Sequence, residues 1–245
     1  MIRLFIAETT PPFTAGLRIV LNPDQGRYLT AVMRQGVNDL VSIFNGRDGE
    51  WTSRLAEVTK KAAVLELMTQ TRAQPALSGP TLAVALVKRG PLEYIVEKAT
   101  ELGAARIQLL ITRRSNAVHT NVERLAAIAR ESAEQTERLD VPNILPPVKL
   151  EAWLRTPARL IFADEESAHE NDRSTRPVLS ALAGTAAGDD AILIGPEGGF
   201  DDEERLSLRA MPNAIPVNLG PRILRADTAA ISALTLYQAA IGDWQ

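Results

Sequence analysis

Cysteine does not occur among the 245 residues. Its absence removes disulfides, thiolate nucleophiles, iron–sulfur clusters and Cys-built zinc sites together, and it agrees with a reducing cytoplasm as the expected compartment. Histidine is nearly absent too: His119 and His169 lie in no H-E-x-x-H pattern and read as surface or loop residues, so no metal is expected. Aromatic residues make up 4% of the chain, too few for a platform that stacks many bases of a long single strand. The longest apolar runs are of the Leu82–Val87 kind, far short of the roughly 20 residues that cross a bilayer, so no membrane is expected as a partner. The N-terminal stretch meets an acid at Glu8, too soon for a secretory segment, and reads as a first strand. Neither G-x-x-x-x-G-K-[ST] nor G-x-G-x-x-G occurs, which argues against an ATPase and against a Rossmann dinucleotide enzyme.

What is present is the composition of a globular protein, 45% hydrophobic and 23% charged. At a prior of about 150 residues per domain the length suits one large domain or two modest ones. Residues 1–72 carry nine Lys and Arg against seven Asp and Glu, whereas the whole chain is at −3. A nucleic-acid contact in the N-terminal part is therefore permitted but not demanded. Short β-like segments fill that part, Ile2–Ala7, Leu40–Phe44, Trp51–Val58 and Ala63–Thr69, with one helix expected over Asp24–Gln35. Residues 73–80 hold two prolines and a glycine and read as a linker between domains at 1–72 and 81–245. After it, strands and helices alternate, which predicts a parallel sheet covered on both faces. Expected strands are Thr81–Val87, Arg106–Thr112, Leu160–Ala163, Ala191–Gly195 and Ile215–Leu219. Expected helices run from Pro91 to Leu102, from a Thr120-x-x-Glu123 capping box to about Leu139, over Pro177–Ala183, over Asp201–Ala210 and over about Thr228–Ile241.

Two loops follow apolar strands and precede helices, where open α/β sheets bind ligands. They are Leu193-Ile194-Gly195-Pro196-Glu197-Gly198-Gly199-Phe200 and Leu219-Gly220-Pro221-Arg222-Ile223-Leu224-Arg225-Ala226-Asp227-Thr228. Glycine lets a backbone approach a ligand closely, and proline stiffens the loop. These stretches resemble the cofactor end of the SPOUT methyltransferases, and more closely the RsmE family, which methylates N3 of a uridine in small-subunit (16S) ribosomal RNA. Lys88-x-Gly90, Lys98–Gly103, Glu131-x-x-Glu134-Gln135, Val32-Met33-Arg34 and the Asn45–Gly49 turn match in the same order.

The resemblance implies an N-terminal PUA-like β-barrel domain, a C-terminal α/β SPOUT domain with a trefoil knot, S-adenosylmethionine as cofactor, and a homodimer acting on small-subunit ribosomal RNA or the assembled small subunit. The last helix, with Ala229, Ala230, Ala233, Ala239 and Ala240, offers small residues for helix contact in such a dimer. Leu193, Ile194, Leu219, Ile223 and Leu224 are the expected adenine cover, with backbone groups of Gly195, Gly198 and Gly220 on its edge; Gly199, Arg222 and Thr228 complete the cofactor set. Glu197 either favours the cationic cofactor or is a solvated charge. Arg225 is the catalytic candidate, since a guanidinium near the uracil carbonyls stabilises the charge left when N3 loses its proton. Asp227 is either a base or the cap of the last helix. Arg3, Arg34, Lys88, Arg113 and Arg114 are the RNA candidates. The chain departs from the family in Arg27-Tyr28, where histidine is frequent, and in Glu137, where glycine is usual. A non-catalytic RNA-binding assembly factor of the same fold is the alternative reading.

Overall fold

The structure, a computed structural model, describes residues 1–7, 11–59, 62–76, 78–164 and 175–244. The chain divides into two compact units, residues 1–77 with 133–141, and residues 78–132 with 142–245. Residues 133–141, placed in the second domain by the sequence reading, thus group with the first unit.

The first unit is a five-stranded sheet in the order β1-β3-β4-β5-β2. Its strands are β1 (Ile2–Phe5), β2 (Arg18–Val20), β3 (Leu40–Phe44), β4 (Glu50–Val58) and β5 (Ala63–Arg72). β1 runs parallel to β3 and the other pairings are antiparallel. Alternating residues such as Leu4, Ile43, Leu55, Leu65 and Leu67 meet in one core with Leu29, as the period of two requires. The helix expected over Asp24–Gln35 is broken. α1 (Pro23–Arg27) opens with a capping box between Asn22 and Gln25 and passes into a π-turn at Tyr28–Val32, and Arg34 then turns the chain at φ 55°. The Thr30 hydroxyl donates back to the Gly26 carbonyl at 2.8 Å, a bond that bends a helix.

The second unit is a wholly parallel seven-stranded sheet in the order β10-β12-β9-β11-β6-β7-β8. The strands are β6 (Thr81–Ala85), β7 (Arg106–Ile111), β8 (Asn143–Lys149), β9 (Arg159–Ala163), β10 (Arg176–Pro177), β11 (Asp190–Ile194) and β12 (Ala214–Asn218). α2 (Arg89–Glu101), α3 (Val122–Gln135), α4 (Leu150–Trp153), α5 (Val178–Leu182), α6 (Asp202–Arg209) and α7 (Ala226–Ala240) connect or follow them. Every residue of β6 and β11 is buried, as expected of central strands covered on both faces. The chain lays β7 and β8 on one side of β6 and β11, β9 and β12 on the other. The carboxyl ends of β12, β9, β11 and β6 therefore open side by side at a switch of strand order.

Three expected details change. α3 is capped by Asn121, whose Oδ1 accepts the Arg124 amide at 3.0 Å, rather than by Thr120, and it ends at Gln135. α7 starts at Ala226 with Arg225 as its cap residue, so Asp227 lies in the first helical turn and is not the cap. Of the small residues expected at a subunit contact, Ala229, Ala230 and Ala233 are buried as α7 packs on α2, α5 and β11 and so are used inside the unit, whereas Ala239 is exposed and Ala240 half-buried.

Candidate functional site

A cavity of about 480 Å³ opens at the carboxyl ends of those four strands. β11 delivers Ile194, Gly195, Pro196, Glu197, Gly199 and Phe200; β12 delivers Val217 and Leu219, and the loop after it Arg222, Ile223, Leu224 and Arg225. Ala226, Asp227 and Ala229 follow from the first turns of α7, Ala163 and Asp164 from β9, and Lys88 and Pro91 from the entry to α2.

The 195–200 loop is held from outside. Gly199 sits at φ 69° and its amide closes a turn on the Pro196 carbonyl at 2.9 Å. Arg114 Nη1 donates to the carbonyls of Gly198, at 3.0 Å, and Phe200, at 3.3 Å. Asn116 Nδ2 donates to Glu197 Oε2 at 2.8 Å. α6 begins with a capping box, Asp201 Oδ1 accepting the Glu204 amide and Glu204 Oε2 accepting the Asp201 amide. Arg113 bridges Asp201 and Glu203. The Glu204 amide, then Arg113, hold the Asp201 carboxyl below the ordinary range. A carboxylate missed by the sequence reading, Asp164, is buried at the cavity wall and paired to Arg209 at 2.8 Å and to Arg205 at 3.4 Å.

Lys88, Arg222 and Arg225 contrast with these cations. All three are exposed at the cavity, and among the described residues their side chains meet no hydrogen-bond or ion-pair partner. Of the cavity acids, Glu197 is bound to Asn116, Asp164 to two arginines, and Asp227 Oδ1 accepts the amide and hydroxyl of Thr228.

The expected cofactor residues divide. Ile194, Gly195, Glu197, Gly199, Leu219, Arg222, Ile223 and Leu224 line the cavity, as does the catalytic candidate Arg225. Leu193 is fully buried in the sheet core and Gly198 lies against the Arg114 stem, outside the lining. Gly220 and Thr228 lie outside it too. The RNA candidates divide also. Lys88 is at the cavity and Arg34 is exposed in the first unit. Arg113 and Arg114 are spent on the 195–204 segment. Arg3 is internal to the first unit: its side chain is 9% exposed, Nε bonds Glu50 at 2.7 Å, and its Nη atoms bond the carbonyls of Ala133, Glu134 and Arg138. That removes Arg3 from the surface RNA could reach. Pro91, Ala163 and Asp164 were missed because the fold brings them from other strand ends, and only their position after apolar strands could have marked them; Phe200, quoted in the first loop, was given no role there. His119 is exposed, His169 lies outside the described residues, and no group of three metal-ligating side chains occurs among the described residues.

Known proteins resemble the chain over most of its length. A family model for an RNA methyltransferase domain matches residues 77–238, and one for an RNA methyltransferase PUA domain matches residues 21–68. The ribosomal RNA small subunit methyltransferase E of Rickettsia conorii is 35% identical over 208 residues, covering 84% of this chain and 83% of that protein. Its namesake in Bacillus subtilis is 29% identical over 250 residues, covering 96% and 95%. Among solved structures, ribosomal RNA small subunit methyltransferase E from Neisseria gonorrhoeae, bound to S-adenosyl methionine, has a TM-score of 0.85 at 25% identity and 100% coverage of both chains. A putative methyltransferase from Legionella pneumophila, in complex with the cofactor SAM, has a TM-score of 0.82 at 29% identity, covering 98% of this chain and 97% of that one. With a PUA unit, a parallel α/β unit and relatives of this kind along nearly its whole length, the chain belongs to the ribosomal RNA small subunit methyltransferase E family of RNA methyltransferases.

Proposed function

We propose that the protein transfers the methyl group of S-adenosylmethionine to N3 of a uridine in small-subunit ribosomal RNA. The observation that carries this is the convergence, on one cavity at the carboxyl ends of parallel strands, of both glycine loops and three cations that have no ion-pair partner among the described residues. The lining fits the cofactor: Ile194, Phe200, Val217, Leu219, Ile223 and Leu224 offer apolar cover for a purine, and Gly195 keeps the backbone bare beside them. When bound, the cofactor supplies an activated methyl group on a sulfonium. Arg225, at the rim and without an ion-pair partner among the described residues, holds the negative charge that spreads over the uracil carbonyls as N3 gives up its proton. Asp227, two residues from Arg225 and with no hydrogen bond at Oδ2 among the described residues, is our candidate to take that proton. Because N3 is a pairing atom, the base must leave any helix before it enters.

In this reading Lys88 at the cavity and Arg34 in the first unit meet RNA phosphates. The protein acts in the cytoplasm as a homodimer, and its C-terminal unit carries a trefoil knot; these three points rest on the family resemblance. Light scattering at micromolar concentration checks the dimer, and a monomer contradicts it. The function is tested by mass measurement of nucleosides from small-subunit RNA of a strain lacking the gene. Loss of one 3-methyluridine, restored by the gene, is expected. Unchanged nucleosides would contradict the enzyme and favour an assembly factor.

A further inference from the structure

Among the described residues, charge around the cavity leaves a small positive excess that the cofactor cannot correct. Arg113 is neutralised by carboxylates, Arg114 is tied to loop carbonyls, and Arg205 and Arg209 share Asp164. Lys88, Arg222 and Arg225 meet no ion-pair partner among the described residues on the wall of the cavity of about 480 Å³; Glu197 and Asp227, the two other carboxylates of that wall, bond only the neutral Asn116 and Thr228 and offset two of the three charges, so an excess of one cation remains. S-adenosylmethionine carries a sulfonium, an ammonium and one carboxylate, hence a net positive charge, and so adds to the excess. After transfer the product, S-adenosylhomocysteine, is neutral overall. RNA brings the opposite charge, a phosphodiester on either side of the target nucleotide.

We propose that Lys88 and Arg222 form the phosphate site for the target nucleotide, and that their neutralisation by RNA is what lets the cavity hold its cationic cofactor at full strength. The inference rests on the methyltransferase reading and adds an order of events to it. RNA and charged cofactor bind with positive coupling, while the neutral product feels little of it and is released from the loaded site more readily. Coupling is reciprocal, so the charged cofactor tightens RNA to the same degree. Like charges on one cavity wall lie within the reach of unscreened Coulomb forces at low salt and are separated by screening at high salt.

Calorimetry on the full-length protein tests this with sinefungin, an unreactive analogue with an amine cation near the sulfonium position, and with S-adenosylhomocysteine, each with and without hexauridylate. At about 50 mM salt the oligonucleotide is expected to tighten sinefungin roughly five- to tenfold and S-adenosylhomocysteine less than about twofold, and about 300 mM salt removes the difference. Without RNA, the Lys88→Gln, Arg222→Gln double variant is expected to bind sinefungin several-fold more tightly than the wild type. That comparison decides the matter even if hexauridylate binds weakly. Weaker sinefungin binding by the double variant would overturn the proposal and assign the two cations to the cofactor carboxylate. An equal response of both ligands to RNA would overturn it as well, leaving the methyltransferase reading in place. If neither ligand binds, both fall.

Discussion

A methyl group on Gly195 would come to 3.0 Å from the Phe200 ring, closer than most side chains pack, so the ring would have to give by a few tenths of an ångström. The ring is buried and also walls the cavity, so it cannot move without reshaping the space beside it. Gly195→Ala is expected to weaken S-adenosylmethionine binding about tenfold or more while the fold persists, whereas Gly198→Ala, whose added atom meets Arg114 at an ordinary 3.7 Å, changes it little. Calorimetry on the two variants checks the pair, and the reverse ranking would contradict it. A glycine motif is readable in a sequence, but which glycine faces the ligand is not, because that depends on which side of the turn its neighbours fill. Glu137 shows the opposite case. It stands where the family usually has glycine and keeps a left-handed φ of 60°, a conformation that costs an L-residue about 1–2 kcal/mol. Glu137→Gly should gain about 0.5–1 kcal/mol in denaturant unfolding, the relief being partly offset by the greater chain entropy of glycine. A loss of stability would show that the side chain earns its place.

At the level of elements, β9, β11 and α7 are joined at the end of the sheet away from the cavity. Arg159 makes two bonds to the buried Asp190 carboxylate, at 2.5 and 2.6 Å, and the Tyr237 hydroxyl donates a third at 2.6 Å. Burial alone would raise the Asp190 carboxyl; Arg159, Tyr237 and the Gly188 amide outweigh it and hold the group below its ordinary value. A carboxyl lowered in the folded state adds stability above its unfolded pKa of about 4 and loses it as pH falls through the folded value. Burial, then the Asp190 charge, push Tyr237 above the usual phenol range, so its stabilisation fades only as pH rises past about 10. Tyr237→Phe is therefore expected to cost about 1.5–3 kcal/mol near neutrality and to move the acid-unfolding midpoint to higher pH. An unchanged acid limb would contradict the assignment. The apolar strands of this sheet were legible because burial on both faces leaves continuous runs. β8 was not, because Pro146 and Pro147 spoil the strand pattern; at the sheet edge a proline need leave only one ladder partner unbonded. α1 was overextended because a helical spacing of apolar residues does not reveal a π-turn.

For the molecule as a whole, contiguous domains were the natural reading, and the 133–141 segment escaped it because its partners lie more than a hundred residues earlier. Ala133, Leu139 and Val141 pack with Phe5 and Phe44, and Arg3 and Arg72 bond the segment's carbonyls. Arg3→Ala leaves Glu50 and those carbonyls without this buried partner and should cost about 3 kcal/mol or more. A fragment starting at residue 78 should melt well below the intact chain, and equal melting temperatures would contradict this. Alternation of strand and helix and the two loops made the C-terminal unit and its ligand end readable, whereas the cation balance of the cavity emerged only when four strand ends met. The most direct test of the methyltransferase itself uses purified protein, methyl-labelled S-adenosylmethionine and small subunits from a strain lacking the gene. Label is expected on N3 of one uridine, with Arg225→Ala slowing single-turnover transfer by about 10²–10³ at unchanged cofactor affinity and Arg225→Lys recovering part of the rate. Label on another atom, or a normal rate in Arg225→Ala, would contradict the chemistry assigned to this cavity.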